Sequence, residues 1–339
     1  MMTYMAKEIL DIPNAIERQH EANASTLIAL ADYLKKAKPT QVITLGRGSS
    51  HNASIYGKYL FETGLGIPVS VAAPSLATIY EQPLKADNAI LIVTSQSGKS
   101  PDLVRFAHMM KEQGTKVVGI INDTNSPLAK ECDFLFGIHA GEEKSVAATK
   151  SFVGSLSIYA AIYAAWSEDS ALADALMNLP FSLDQVVNSE WPALIEALSH
   201  AKDLFVIGRG VGLSAAVEAA LKLKETCQIH AEGISASEIF HGSVSLITPN
   251  YPIISFVGSD ASRESCLEVN KKLESYGAKV FSVASKPADE FTLVVPEVHP
   301  LLQPLVQITA YYRIIEKLSN HRGLNPDVPP NLKKVTETL

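Results

Sequence analysis

The chain repeats one short pattern at an interval of about half its length. The segments "VITLGRGSSHNAS" and "LFVIGRGVGLSAA" share the tripeptide GRG, and its first glycines, Gly46 and Gly208, lie 162 residues apart. Each copy follows an apolar run and precedes a run with helical spacing. A strand, a glycine turn and a helix that occur together twice predict a duplicated domain.

Each half alternates between strand-like and helix-like runs. The first half offers the strand candidates "QVITLG", "IPVSVAA", "NAILIVTSQ", "KVVGIIND" and "DFLFGIHA", and the second offers "DLFVIG", "YPIISFVG", "AKVFSVAS" and "FTLVVPE". Strands that are apolar throughout and separated by helices indicate parallel sheets covered on both faces. The predicted fold class is α/β, with two tandem doubly wound, flavodoxin-like parallel sheets, each in a three-layer α/β/α arrangement.

The alternation of strand-like and helix-like runs divides the chain into four segments. We predict a first domain with an N-terminal helical segment at 1–166, a helical connector at 167–198 and a second domain at 199–323. The remaining segment, 324–339, is proline-rich and too polar to form a core of its own.

Composition excludes several classes of protein. The 339 residues are 47% hydrophobic and 19% charged, which is typical of a well-packed soluble chain. The net charge of −7, without a basic tract, argues against a nucleic-acid partner. No apolar run approaches the roughly 18 residues that span a bilayer. The three cysteines are far apart and give neither a disulfide framework nor a zinc pattern, so we expect a cytoplasmic protein without a metal.

The first GRG turn resembles a dinucleotide-binding loop but lacks two of its parts. His51 occupies the position of the third glycine, and the next strand candidate ends at Ser75 without a carboxylate for a ribose. The turn still brings backbone N–H groups and a helix N-terminus together, which suits an anion. We therefore expect an anion other than NAD.

The loop "TSQSGKSPDL" is the better anion candidate. In a five-stranded doubly wound sheet, the loops after the first and third strands line one crevice, which places this loop beside Ser49 and Ser50. Hydroxyl groups at a helix N-terminus suit a phosphate monoester, and the missing Walker glycine argues against a nucleoside triphosphate. The alternative is a hydroxyl-rich cap that serves only its own helix. The polar side chains of the loop are those of Ser95, Gln96, Ser97 and Ser100.

Acid–base groups occur after the second GRG turn. Glu218, Lys222 and Glu225 are spaced i, i+4 and i+7, which places them on one helix face. A partly buried carboxylate beside a lysine can act as a general base, whereas the alternative is an exposed stripe with an ion pair. In the irregular stretch "HAEGISASEIFHG", His241 is the better acid–base candidate, and the spacing is not that of an HExxH zinc site.

These motifs together resemble the sugar isomerase (SIS) domain family, and within it the isomerase half of the glucosamine-6-phosphate synthases. The matching stretches are "GRGSSHNA", "SQSGKSPD", "SVAATKSF", "EAALKLKET", "IHAEGISASEIFHG" and "NLKKVT", so the resemblance covers nearly the whole chain.

The resemblance implies a role for each matching residue. Glu225 would move a proton between C1 and C2 of the sugar, with Lys222 assisting, and His241 from a partner subunit would help open the ring. Lys334 in the tail would lie at the carbonyl end, so that the tail completes the active site. The resemblance thus implies a homodimer with shared sites. Ser49, Ser50, Ser95, Gln96, Ser97 and Ser100 would hold the phosphate, and Val146, Ala148 and Glu218 would contact the sugar, although the family usually has serine at position 148.

The resemblance also suggests a reaction. The sequence begins "MMTYMAKEIL" and its first cysteine is Cys132, so we expect no glutaminase activity. An isomerase that keeps an aminosugar site would then convert glucosamine 6-phosphate to fructose 6-phosphate and ammonia. No cofactor is expected, because the carbonyl itself acidifies the C2–H bond. The alternatives are a related deaminase, deglycase or isomerase acting on another hexosamine phosphate, and a non-catalytic regulator that binds a phosphosugar.

Overall fold

A computed structural model describes residues 2–287 and 289–334. The described residues form two compact units, each built around one parallel sheet. The N-sheet unit comprises 14–142, 150–177 and 333–334, and the C-sheet unit comprises 2–13, 143–149, 178–287 and 289–332. The domain boundaries expected from the sequence stay a prediction, because they are linear segments and these units are not.

The N-sheet has the strand order β2-β1-β3-β4-β5, with every pair parallel. Its core includes Ile43, Leu91 and Val93 from the sheet and Phe106 from a covering helix. The strands are β1 Gln41–Leu45, β2 Val69–Val71, β3 Ala89–Ser95, β4 Lys116–Ile121 and β5 Phe134–Gly137.

The C-sheet has the order β10-β9-β8-β6-β7, also parallel throughout. Counted from its own first strand, this is the same topology as the N-sheet. The duplicated, doubly wound α/β fold expected from the sequence is therefore confirmed. The strands are β6 Asp203–Gly208, β7 His230–Ser235, β8 Pro252–Phe256, β9 Lys279–Ala284 and β10 Thr292–Val294.

Helices occupy most of the remaining chain and cover the sheets. Those with the greatest bearing on function are α3 and α5 in the N-sheet unit and α1, α9 and α11 in the C-sheet unit. The helices are α1 Tyr4–Leu10, α2 Ile12–Ala37, α3 Ser49–Leu65, α4 Ser75–Thr78, α5 Pro101–Glu112, α6 Lys150–Ser167, α7 Ser170–Asp184, α8 Pro192–Leu198, α9 Gly212–Cys227, α10 Arg263–Ser275 and α11 Gln303–His321.

Strand β7 corrects one sequence-based expectation, since its residues open the stretch that was expected to be irregular. The strand is at the edge of the sheet, partly exposed and interrupted by Gly233, so it lacks the apolar β-branched pattern of its neighbours. A Cβ on Gly233 would lie 2.5 Å from the Cα of Val217 in α9. The glycine that weakens the strand signal is thus what allows the helix to approach the strand.

The repeated GRG turn has the same physical cause in both units. A Cβ on Gly46 would lie 2.8 Å from the carbonyl carbon of Ser50, and one on Gly208 would lie 2.5 Å from the carbonyl oxygen of Gly212. The second glycines, Gly48 and Gly210, have φ values of +53° and +59°, which side chains disfavour. The first glycine therefore permits close strand–helix contact, and the second permits the turn.

Candidate active site

The loop after β3 is shaped by its own hydroxyl groups. The buried Ser95 Oγ accepts the N–H of Gly98 at 3.0 Å, and Ser97 Oγ accepts the N–H of Lys99 at 3.3 Å. Gly98 has φ +60°, and a Cβ there would lie 2.0 Å from the Oγ of Ser126. The loop is thus folded tightly over the carboxyl end of the sheet.

Two helix N-termini meet this loop without side-chain caps. Ser100 precedes α5 but its hydroxyl makes no capping hydrogen bond, and α3 is preceded by Gly48, which has no side chain to offer. Because β1 and β3 are parallel neighbours, with Leu45 opposite Val93, both helices begin at the same sheet edge. In the first turn of α5 the Leu103 N–H donates to Asp102 Oδ1 at 2.8 Å, and the positive ends of both helix dipoles at one edge suit an anion. The alternative of a self-capping hydroxyl fails for Ser100.

An ion pair joins the two turns at this edge. Arg47, the middle residue of the first GRG, donates from Nε at 3.0 Å and from Nη2 at 2.6 Å to the buried Oδ2 of Asp102. The pairing offsets a negative charge in the first turn of α5. Burial, followed by the nearby Arg47, lowers the pKa of His51 below its ordinary value. The six predicted phosphate-binding residues all lie at this edge, and their binding of phosphate stays a prediction.

The equivalent crevice of the C-sheet contains a protein carboxylate. Asp260, in the loop after β8, accepts the backbone N–H of Ser262 at 3.0 Å and its hydroxyl at 2.5 Å. A Cβ on Gly210 would lie 3.3 Å from the other carboxylate oxygen. A negative charge at this position disfavours a bound anion.

Helix α9 carries a buried lysine between two carboxylates. Lys222 Nζ lies 3.3 Å from Glu218 Oε1 and 2.5 Å from Glu225 Oε2. The Lys222 and Glu218 side chains are 1% and 0% exposed, whereas that of Glu225 is 20% exposed. Burial alone would lower the pKa of Lys222, but the two carboxylates outweigh it and raise the pKa above its ordinary value. The predicted face therefore exists, and it is not the exposed ion-pair stripe of the alternative.

Glu225 and Glu218 differ in their access to solvent. Lys222 places a positive charge beside both carboxylates. Glu225 is the partner that a ligand or water can reach, so the arrangement suits it for taking up and returning a proton. Glu218 is enclosed and serves as the second counter-ion.

Tyr312 extends this cluster and lies outside the motifs that the sequence offers. Its hydroxyl donates to Glu218 Oε1 at 3.2 Å from α11, which packs against α9. Burial, together with the charge of Glu218, raises the pKa of Tyr312 well above its ordinary value, so the phenol stays protonated and remains a donor. No sequence spacing could have indicated the contact, because the two residues are 94 positions apart.

The segment that contains Val146 and Ala148 belongs to the C-sheet unit. Both residues are half-buried and alternate with buried neighbours, so one edge of the segment is accessible. The N–H of Val146 donates to the Asp327 carbonyl at 3.1 Å. The carboxylate of Glu143 contributes to the raised pKa of Tyr312, which places this segment near the α9 cluster.

His241 and Lys334 occupy different settings. His241 is exposed after the short 3₁₀ turn Glu238–Phe240, and its N–H donates to the Glu238 carbonyl at 2.9 Å. Within residues 2–287 and 289–334, its imidazole has no hydrogen-bond partner. Lys334 is half-buried, is the last residue described and groups with the N-sheet unit. The proposed roles of both residues stay predictions.

The residues that the structure describes contain neither a metal-binding cluster nor a membrane-spanning helix. No group of three or more histidine, cysteine, aspartate or glutamate side chains there could hold a metal ion. None of the helices described is long and apolar enough to cross a membrane.

The family model for the SIS domain matches residues 33–165, which contain the N-sheet, and residues 197–292, which contain β6 to β9 of the C-sheet and the first residue of β10. The chain belongs to the SIS domain family. The two matches coincide with the two copies of the strand–GRG–helix unit, so the repeat seen in the sequence is a repeat of this domain.

Comparison with known proteins identifies relatives within this family. The chain is 31% identical over 359 residues to a glutamine–fructose-6-phosphate aminotransferase (isomerizing) from Rhizobium meliloti, covering 98% of this chain but 58% of that protein. A crystal structure from Silicibacter pomeroyi, described as that of a candidate phosphosugar isomerase, is 38% identical with a TM-score of 0.90, covering 96% of this chain and 100% of that one. A glucosamine-6-phosphate deaminase from Thermotoga maritima shares the fold at 21% identity and a TM-score of 0.78, covering 99% and 100%.

Proposed function

We propose that this SIS-domain protein is a phosphosugar isomerase that transfers a proton between C1 and C2 of an open-chain hexose 6-phosphate. The observation that carries the proposal is the buried lysine of α9, which holds two carboxylates and leaves Glu225 accessible. The hydroxyl-lined, uncapped helix termini of the N-sheet unit supply the proposed phosphate anchor.

The proposed substrate is glucosamine 6-phosphate, and the proposed products are fructose 6-phosphate and ammonia. His241 helps to open the ring, and Lys334 lies at the carbonyl end. Glu225 removes the C2 proton, the C–H electrons form a C1–C2 double bond, and the carbonyl oxygen gains a proton. The enamine then takes a proton at C1, which leaves an imine at C2. Water adds to this carbon and ammonia leaves, so that one water is consumed for each ammonia released.

The name of a relative supports an aminosugar substrate, and the three cysteines of this chain bear on glutamine cleavage. The relative that the chain resembles over 98% of its length is named for amino transfer to fructose 6-phosphate, which supports an aminosugar site. Glutamine cleavage by a cysteine needs a thiolate. Burial raises the pKa of Cys132 and of Cys227 to about 12 and that of Cys266 to about 11, so none of the three is suited to that role. All three are unpaired thiols, which supports the proposed cytoplasmic location.

The substrate proposal is tested with a panel of sugar phosphates in the absence of glutamine. Ammonia release is measured from glucosamine 6-phosphate and galactosamine 6-phosphate, and isomerisation is measured with glucose 6-phosphate. We expect ammonia from glucosamine 6-phosphate at the highest kcat/KM. Preference for the galactosamine epimer would change the substrate assignment, whereas tight binding without turnover of any member would indicate a regulator.

The phosphate assignment predicts a specific effect of Ser100→Ala. Because the Ser100 hydroxyl does not cap its own helix, its removal should leave the fold unchanged. A hydrogen bond to a charged group contributes about 1.5–3 kcal/mol, so KM should rise roughly 10- to 150-fold with little change in kcat. The control is Ser262→Ala in the crevice occupied by Asp260, which should leave KM unchanged. A collapsed kcat at unchanged KM would contradict the assignment.

We also propose a homodimer in which each site receives His241 from the partner subunit. Glu225→Gln and His241→Ala chains, each inactive alone, are mixed in equal amounts under subunit exchange. In an isologous dimer, half of the dimers are mixed and each has one intact site, so activity should recover to about a quarter of wild type. No recovery after verified exchange would exclude a shared site.

A further inference from the structure

The segment that carries Val146 and Ala148 has no regular secondary structure, so its backbone depends on other hydrogen-bond partners. Two of these bonds end on one side chain of α1. Glu8 Oε1 accepts the N–H groups of Lys144 and Ser145, the second at 3.3 Å. Glu8 is 6% exposed, and a buried carboxylate is stable only when such bonds compensate its charge.

The same segment is bonded to the chain near its C-terminal end. Ser145 Oγ donates to the Pro326 carbonyl at 3.4 Å, and the Val146 N–H donates to the Asp327 carbonyl at 3.1 Å. Residues 144–146 are therefore bonded on one side to α1 and on the other to residues 326–327.

Asp327 closes the ring of bonds. Its carboxylate accepts the N–H of Tyr4 at 2.7 Å and that of Met5 at 2.8 Å, and both N–H groups lie in the first turn of α1 and lack helical partners. Helix α1 thus holds both segments, and the two segments hold each other. We call this ring, formed by Glu8, Ser145, Val146 and Asp327, the α1 clamp.

The clamp determines which part of the segment is accessible. The Val146 N–H is committed to Asp327, while the side chains of Val146 and Ala148 lie on the accessible edge. Charge-assisted bonds such as those of Glu8 are roughly twice as strong as neutral ones. Loss of the carboxylate would remove the bonds from the Lys144 and Ser145 N–H groups. The backbone that carries Val146 would then be held less firmly.

We propose that Glu8 is a positioning residue, which acts on the sugar through residues 144–146 without touching it. This inference rests on the proposed function, together with the contact of Val146 and Ala148 with the sugar that the family resemblance implies. Glu8 belongs to the C-sheet unit and the phosphate loop to the N-sheet unit. The inference therefore predicts that Glu8 affects binding of the sugar and not binding of the phosphate.

The test uses ligands that need no turnover. Binding of 2-amino-2-deoxyglucitol 6-phosphate, which has no carbonyl to react, is compared with binding of inorganic phosphate by calorimetry. We expect Glu8→Ala to weaken the sugar-alcohol phosphate about 10-fold and to leave inorganic phosphate within twofold, as the loss of a charged anchor implies. Equal weakening of both ligands, or of neither, would overturn the inference.

Two comparisons keep the outcome interpretable. Glu8→Gln retains an acceptor oxygen without the charge, so its loss of affinity should be several-fold and smaller than that of Glu8→Ala. The control Glu17→Gln changes an exposed acid on α2. If Glu8→Ala does not fold, Glu8→Gln should still bind the sugar-alcohol phosphate several-fold more weakly than Glu17→Gln, and equality of the two would count against the clamp.

Hydrogen exchange supplies a readout that is independent of the proposed function. Glu8→Gln should speed amide exchange at 144–146 and at 326–328 and leave the first turns of α3 and α5 unchanged. Unchanged exchange in the first two segments would exclude the clamp. If exchange and sugar-alcohol binding respond to Glu8 while no sugar phosphate of the panel is turned over, the catalytic proposal fails and the positioning inference stands.

Discussion

Glu225→Gln is expected to lower kcat roughly 10²- to 10⁴-fold, the usual contribution of general acid–base catalysis. An amide keeps the size of the carboxylate and can still accept the bond from Lys222, but it cannot take up or return a proton. Lys222 would retain Glu218 as its counter-ion, so the fold should be kept. Steady-state ammonia release and binding of the sugar-alcohol phosphate measure the two effects separately.

The matched control for this prediction is Glu232→Gln. Glu232 is an exposed carboxylate on β7 in the same unit, and its loss should change kcat by less than twofold. Near wild-type turnover by Glu225→Gln would reject Glu225 as the base. A large loss in Glu232→Gln alone would transfer the role to that residue.

Lys222→Met is expected to have the largest effect on stability. Removing one partner of a buried ion pair typically costs about 3–5 kcal/mol, because the remaining charge is buried without compensation. Here the fully buried Glu218, which also accepts the Tyr312 hydroxyl, would lose its cation. Denaturant unfolding measures the loss, and the double variant Lys222→Met, Glu218→Gln should recover most of it.

The control for this variant lies on the same helix. Lys224 is exposed, and Lys224→Met should change the free energy of unfolding by no more than about 0.5 kcal/mol. A deficit below about 1 kcal/mol at neutral pH would mean that the network is not held by charge.

The sequence predicted those features that arise locally. The two GRG turns predicted a duplicated domain, because the backbone of the turn itself requires glycine. At Gly46 and Gly208 only glycine leaves room for the following helix to contact the strand. The i, i+4, i+7 spacing likewise placed Glu218, Lys222 and Glu225 on one face. The partial burial expected there understates the complete burial of Lys222 and Glu218, which depends on packing of α11 against α9.

The features that could not be predicted from the sequence arise from tertiary contacts. Strand β7 forms because it pairs with β6, despite a glycine and exposed positions that weaken its own signal. Tyr312 joins the acid–base cluster from a helix far away in the sequence. Glu8 and Asp327 meet the segment at 144–146 from opposite ends of the chain, and neither lies in a motif that the sequence analysis identified.

The central claim is that the enzyme breaks the C2–H bond and moves this hydrogen as a proton. The most direct test is turnover of glucosamine 6-phosphate deuterated at C2, followed by NMR and mass spectrometry of the sugar product. The account predicts fructose 6-phosphate with deuterium either at C1 or lost to water, and a lower kcat/KM than with unlabelled substrate if proton removal limits the rate. A sugar product that retains deuterium at C2 after ammonia release would contradict it.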